Sequence, residues 1–292
     1  MTFRPGMTTL SIAKAPWFWY LFQEPETAMM KDPSARIVGH ERWEDYHLFR
    51  IETPLLAADA RPGQFLMIKV SDGYSPLLRR PISIHAREGD CLEIFFQVAG
   101  RGTEILARKP DGETLDIIGP LGKGYSVDGR WKGKDILCVG GGRGIAPIYF
   151  LAVELRRLGA NPTVLYGGKT IRDIPLRGKF EKAGIALRCS TDDGSLGYRG
   201  FVTGLAAEEI AARGPALLCA CGPEAMMKAA ALLSLEFDVP AEFSLEALMG
   251  CGIGACWGCV KRIRREGRDG WLKICEEGPV FPLEQIVWTE GD

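Results

Sequence analysis

From residue 36 to about residue 125, apolar and polar positions alternate in short runs interrupted by turn residues. Tyr46–Glu52, Phe65–Val70, Pro81–Ala86, Leu92–Val98 and Thr114–Ile118 read as strands. Pro62-Gly63, Asp72-Gly73, Gly89-Asp90 and Asp111-Gly112 punctuate them. Short strands at this spacing predict an antiparallel β-barrel.

The rhythm then changes. Asp135–Val139 is a strand that runs into a glycine loop, and Ile145–Leu158 carries its apolar residues at helical spacing. Thr163–Tyr166, Ile185–Cys189 and Ala216–Cys219 are further strands, with helical stretches between them. Such alternation predicts a parallel α/β sheet. After Pro240 the chain becomes rich in cysteine and glycine. The expected organisation is an extension at 1–34, a β-barrel at 35–130, an α/β domain at 131–240 and a small cysteine-bearing domain at 241–292. A chain of 292 residues suits two or three domains.

Composition narrows the chemistry. The chain is 46% hydrophobic and 25% charged, as in globular proteins with a sizeable core. A net charge of −1 gives bulk electrostatics no hold on nucleic acid or an anionic membrane, so neither is an expected partner. No apolar run reaches the roughly 18 residues of a spanning helix. The aromatic cluster Trp17–Phe22 is too short for a signal sequence and lacks a cleavage site of small residues. The reducing cytoplasm is therefore the expected compartment, and nine cysteines there point to metal or redox chemistry.

Cys251, Cys256 and Cys259 are spaced C-x4-C-x2-C, and Cys275 follows after fifteen residues. The triplet has the spacing of plant-type [2Fe–2S] proteins, although there the fourth cysteine lies farther off. Gly252, Gly254 and Gly258 would let backbone N–H groups approach the sulfurs. Four thiolates on two irons leave no open position, so such a cluster carries electrons. A structural zinc site is the alternative, but zinc usually takes two well-separated pairs. Cys91, Cys138, Cys189, Cys219 and Cys221 lie mostly in apolar strands, where a buried inert thiol is usual.

Arg79-Arg80-Pro81-Ile82-Ser83 opens an apolar strand. A guanidinium donates in a fork and stays charged, which suits a pyrophosphate, and Ser83 is within reach of a flavin ring. An arginine pair on a solvated strand edge is the plainer reading. Gly100-Arg101-Gly102-Thr103 opens a helical stretch, a place where anions bind, and equally an ordinary loop and cap.

Gly140-Gly141-Gly142-Arg143-Gly144-Ile145-Ala146-Pro147 follows a strand and opens a helix, as a dinucleotide loop does. It departs from G-x-G-x-x-G, since Pro147 stands where the last glycine would be. Cys221-Gly222-Pro223 follows a later strand and is placed to close a nicotinamide pocket; a tight turn without ligand is the alternative. The acid expected about twenty residues on is missing, and the second strand ends Tyr166-Gly167-Gly168-Lys169 with Arg172 nearby. NAD and NADP both stay open.

Together these residues resemble the electron-transfer subunit of bacterial dihydroorotate dehydrogenase, within the ferredoxin reductase-like superfamily. The resemblance runs from about Arg36 to Ile286. It rests on Leu78–Ile84, Gly100–Thr103, Gly119-Pro120-Leu121-Gly122, Gly140–Pro147, Thr191-Asp192-Asp193-Gly194-Ser195 and Cys221–Pro223. Its most diagnostic part is Ser244–Cys256, then Cys259 and Cys275 with Gly278-Pro279-Val280-Phe281.

The resemblance implies a FAD-binding barrel, an NAD-binding domain and a [2Fe–2S] domain. It implies a heterotetramer with an FMN-containing catalytic subunit, whose electrons pass through cluster and FAD to NAD in pyrimidine biosynthesis. Arg80 would bind the FAD pyrophosphate, with Pro81, Ile82 and Ser83 beside the flavin, and Gly100, Gly102 and Thr103 would hold phosphate. Gly140, Gly141, Gly142, Gly144, Pro147, Cys221, Gly222 and Pro223 would hold NAD, and Cys251, Cys256, Cys259 and Cys275 the cluster.

Related subunits serve ferredoxin–NADP oxidoreductases and sulfide dehydrogenases, often with aspartate at the first cluster position, and a hydrogenase is a further candidate partner. Cys251 favours the dihydroorotate type. A zinc-stabilised dinucleotide-binding regulator is the distant alternative. Trp257 and Phe281 are candidate anchors for the partner, and equally residues of local packing around the cluster. The aromatic extension departs from the family pattern, for which Met29 or Met30 is a more typical start.

Overall fold

In the computed structural model, which describes residues 30–288, the barrel begins with β1 (Lys31–Trp43) and β2 (Tyr46–Glu52). A short α1 (Pro54–Ala57) leads to β3 (Phe65–Lys69), β4 (Arg80–Glu88) and β5 (Cys91–Gln97). After α2 (Arg101–Ala107), β6 (Thr114–Leu121) completes the set. Among the described residues, these six strands close in the order β1-β2-β5-β4-β3-β6. Closure removes the exposed edges that would otherwise template aggregation. Leu66 and Ile68 of β3 and Ile82 and Ile84 of β4 point into the barrel core with Phe49 and Ile94.

The second layer starts at β7 (Asp135–Gly141), followed by α3 (Ile145–Leu158), β8 (Asn161–Gly168) and α4 (Arg177–Lys182). Then come β9 (Ala186–Thr191), β10 (Tyr198–Arg199), α5 (Val202–Arg213), β11 (Leu217–Cys221), α6 (Glu224–Glu236) and β12 (Ala241–Ser244). Neighbouring strands from β10 to β12 pair in parallel, as the strand–helix alternation predicts. Pro147 sits in the first turn of α3, where its missing N–H costs nothing, and Gly159 ends the helix in the left-handed region (φ 89°). Nearly every residue in the first two turns of α3 is buried, because the helix is covered by the sheet on one side and the barrel on the other.

The C-terminal part forms a hairpin of β13 (Val260–Arg265) and β14 (Arg268–Lys273), then α7 (Ile274–Glu277) and β15 (Val280–Pro282). Here the structure departs from the expected boundaries. β12 and β15 both belong to the large sheet, whose order is β10-β9-β8-β7-β11-β12-β15, with β15 antiparallel to β12. β1 likewise starts at Lys31, inside the stretch read as an extension. Of its thirteen residues only Ala35 and Ile37 are buried, so its apolar signal is faint. The aromatic cluster Trp17–Phe22 and Met29 lie outside the described residues. No helix among the described residues is long and apolar enough to cross a membrane.

Candidate redox site

The cysteine loop between β12 and β13, together with Cys275 of α7, gathers its sulfurs two by two. The Cys259 and Cys275 sulfurs are 3.2 Å apart, and the Cys256 N–H donates to Cys251 Sγ at 3.2 Å. The Cys251 side chain also hydrogen-bonds Cys256. The Gly254 N–H donates to Cys275 Sγ at 3.2 Å. Gly252 (φ 73°) and Gly254 (φ 77°) hold the left-handed backbone that turns these donors inward. Among the described residues, no three His, Cys, Asp or Glu side chains converge as a single metal ion requires. Two thiol pairs with backbone donors to sulfur suit a binuclear cluster, in which each iron takes two cysteines.

Backbone donation from Gly258, then contact with Cys251, pulls the Cys256 thiol down to about 7. Burial pushes Cys275 the other way, reinforced by the proton it shares with Cys259. Metal binding to such thiols releases protons.

Around the loop, Trp257 is 65% exposed, with Leu248 and Trp271 also open to solvent. Phe281 is not: it is 1% exposed in β15, beneath Gly278, and packs the core instead of offering an anchor. The apolar run Val280-Phe281 reads alike for a buried edge strand and for a sticky surface.

The barrel brings together two segments that sequence could only associate. Arg79 is occupied within the barrel: its guanidinium donates to Asp116 O at 2.6 Å and Asp116 Oδ2 at 2.8 Å. Burial alone would raise the Asp116 carboxyl, but Arg79 and Lys31 outweigh it and hold it below the usual range. Arg80 instead lies over the start of α2, where a Cβ on Gly102 would fall 2.0 Å from its Nε. Arg80 Nη1 donates to Leu78 O at 2.6 Å, and Arg101 Nη1 to Ser75 Oγ at 3.1 Å. The Thr103 hydroxyl is tied into the turn, donating to Gly100 O at 3.0 Å and accepting from the Ala99 N–H at 2.9 Å. Ile82 and Ile84 face the core, so strand alternation turns Pro81 and Ser83 to the outer face. Ser83 pairs with Phe65 and Pro81 with Met67.

The glycine loop meets the Cys221 segment directly. Cys221 pairs with Gly140, and a Cβ on Gly144 would lie 2.2 Å from Cys221 O. One on Gly141 would lie 2.6 Å from Met226 Sδ and 3.0 Å from Pro223 Cδ. Pro147 is buried in α3. The loop therefore sits at the carboxyl ends of β7 and β11, the edge at which open α/β sheets bind ligands.

The Thr191–Ser195 turn occupies the same edge. Its Asp192 N–H donates to Gly168 O at 3.1 Å, and Asp193 accepts from Ser195. The dinucleotide pattern predicts an acid at the end of β8, whereas these two follow β9.

A closed barrel, a parallel dinucleotide sheet and paired thiols beside them define an iron–sulfur oxidoreductase of ferredoxin reductase-like fold. Residues 246–287 match the iron–sulfur cluster binding domain of dihydroorotate dehydrogenase B, and residues 138–231 the oxidoreductase NAD-binding domain. The electron transfer subunit of dihydroorotate dehydrogenase B (NAD(+)) from Desulforamulus reducens is 39% identical over 83% of this chain and 92% of its own. The Bacillus pumilus subunit is 39% identical over 88% and 99%. The chain belongs to the family of dihydroorotate dehydrogenase B electron transfer subunits. Among solved structures, an NADH-dependent reduced ferredoxin–NADP oxidoreductase is similar with a TM-score of 0.75 and 30% identity, covering 88% of this chain and 91% of that one. A Neisseria gonorrhoeae ferredoxin–NADP reductase with bound FAD and NADP shares the fold, with a TM-score of 0.59 and 18% identity over 73% and 92%.

Proposed function

We propose that this chain carries electrons from a dihydroorotate-oxidising catalytic subunit, which holds FMN, to NAD in the cytoplasm. The observation that carries the proposal is the seating of the paired-thiol loop against the barrel strand that neighbours Arg80–Ser83. Cys251, Cys256, Cys259 and Cys275 hold a [2Fe–2S] cluster, which moves electrons singly. Arg80 and Gly100–Thr103 hold the FAD pyrophosphate, and Pro81 and Ser83 on the outer face of β4 line the flavin, whereas the Ile82 side chain, expected beside it, packs the barrel core. FAD supplies the exchange between one-electron and two-electron chemistry that hydride transfer to NAD requires.

Gly140, Gly141, Gly142 and Gly144 bring backbone up to the NAD pyrophosphate. Pro147 fixes the helix start, and Cys221, Gly222 and Pro223 close the nicotinamide end. NAD is favoured over NADP because Asp192 and Asp193 add negative charge to that edge while Arg172 pairs with Glu44 at 3.4 Å. The exposed Trp257 beside the cluster anchors the partner. No side chain here is assigned to pyrimidine acid–base work, which belongs to the partner.

The 30% identity to a ferredoxin–NADP oxidoreductase supports a second reading, the same relay on another dehydrogenase. Reconstitution decides between them. The chain alone should oxidise NADH with artificial acceptors and leave dihydroorotate untouched. Mixed with the dihydroorotate dehydrogenase catalytic subunit of its own genome, it should form a stable complex with dihydroorotate–NAD activity. Copurification with a different dehydrogenase, and no complex with this one, would overturn the dihydroorotate reading.

A further inference from the structure

We propose that Met67, a residue outside every recognised motif, positions the cluster loop relative to the flavin strand and so sets the rate of electron transfer between them. This rests on the cofactor assignment above and adds a residue to it. Met67 lies in the middle of β3 and is fully buried. Its neighbours Leu66 and Ile68 fill the barrel core, whereas Phe65 and Met67 join the apolar cluster shared with the large sheet and Cys259 and Cys275. A Cβ on Gly252 would stand 2.5 Å from Met67 Cγ, 2.6 Å from Sδ and 3.1 Å from Cε. The whole side chain thus lies flat against the residue that follows Cys251.

On its other flank, Met67 is the cross-strand partner of Pro81, one residue from Arg80 and two from Ser83. Arg79, held by Asp116, donates to Met67 O at 3.4 Å and steadies the backbone there. One residue therefore joins the two, its side chain lying on the cluster loop and its backbone paired with the flavin strand. A thioether is unbranched and polarisable and fills such a gap closely. Transfer rates are sensitive to small changes in separation, and truncation here would loosen the direct packing between the Cys251–Gly252 corner and β3.

The test uses the full chain loaded with both cofactors, and anaerobic rapid mixing with NADH. One hydride brings two electrons to the flavin; one passes to the cluster, and the second follows when an added one-electron acceptor drains the cluster, with the proton released to water. Flavin bleaching and cluster reduction are followed separately, together with iron content, the cluster EPR spectrum and its reduction potential. Met67→Leu, which conserves volume, should stay within about twofold of wild type. Met67→Val and Met67→Ala should slow cluster reduction progressively, by about ten- to a hundredfold for alanine. NADH-driven flavin bleaching, iron content and potential should not move.

Should the alanine variant lose iron, the valine variant decides. Wild-type rates in every variant that keeps its cluster would overturn the role of Met67, as would a parallel slowing of flavin bleaching or a leucine variant as slow as alanine. If wild type itself shows no NADH-driven cluster reduction, the cofactor assignment fails instead.

Discussion

Arg80 and Gly102 occupy each other's space: a methyl group on Gly102 would meet Arg80 Nε at 2.0 Å, Cζ at 2.5 Å and Nη2 at 2.6 Å. The guanidinium can lie across the turn only because the turn has no side chain there. With Arg80 on the FAD pyrophosphate as proposed, Arg80→Ala should remove charge-assisted hydrogen bonds worth roughly 1.5–3 kcal/mol, about ten- to a hundredfold in FAD affinity. Gly102→Ala should act in the same direction by pushing the intact guanidinium aside. Both variants should lose FAD on gel filtration while keeping their iron; retention of FAD as firm as wild type would put Arg80 back on a solvated edge.

Cys256→Ser removes one member of the Cys251–Cys256 pair. The cluster EPR signal should disappear and iron should fall from about two per chain, following the four-cysteine ligand count. Visible flavin absorbance should remain, because the cysteine loop and Arg80 stand on different segments. A normal reduced-cluster spectrum in this variant would refute the ligand assignment.

Gly144 is confined by backbone, since Cys221 O, Cys221 C and Gly222 N all lie within 2.6 Å of the point a methyl carbon would occupy. Strand pairing between β7 and β11 prevents that backbone from yielding. Gly144→Ala should therefore displace the glycine loop, raise KM for NADH by roughly tenfold or more and cost about 1–3 kcal/mol of stability. Steady-state kinetics with a dye acceptor and urea unfolding measure the two effects, and an unchanged KM would remove the loop from the NAD site.

His85 is buried where the barrel meets α3, with Nδ1 at 3.1 Å from Ala146 O and its ring stacked on Tyr149 at 4.5 Å. Burial, aided by the Lys179 charge, pushes its pKa down to about 3, against an ordinary value of 6.5. Below about pH 6.5 the unfolded chain takes up a proton that the folded chain refuses, so stability falls by up to about 1.4 kcal/mol per pH unit. The loss ends only near the folded value. His47, lowered to about 4 by burial and by His40, adds to it. His85→Phe should lose less stability than wild type between about pH 7.5 and pH 5.5, compared by urea unfolding. Equal losses would show that His85 titrates normally.

Much of the architecture was legible because strand and helix periods differ sharply along the chain. Tyr46–Glu52 and Ile145–Leu158 coincide with the observed β2 and α3. The elements that the sequence hides do so for physical reasons. β12 and β15 are only four and three residues long, and their partners are distant in sequence. Phe65–Lys69 is apolar at four successive positions because both faces of β3 are covered, so no alternation separates Leu66 in the barrel from Met67 against the cysteine loop. Residue type marks Arg80 and Gly102 separately as phosphate-binding positions, and only the closed barrel brings them into contact.

The pairing of β15 with β12 has a topological consequence. The cysteine loop and its hairpin leave the large sheet at Ser244 and return to it at Val280, so they form an insertion fastened at both ends. A second clasp lies at the barrel, where the Lys123 N–H donates to Gly278 O and Gly122 leaves room for that carbonyl. A fragment ending near residue 240 would forfeit two strands of the large sheet as well as the thiols. Bridging Ser244 to Val280 with a short turn would instead excise the loop and spare the sheet edge. Grafting the element between related reductases therefore requires two splice points, and a single crossover would exchange part of the nicotinamide sheet with it.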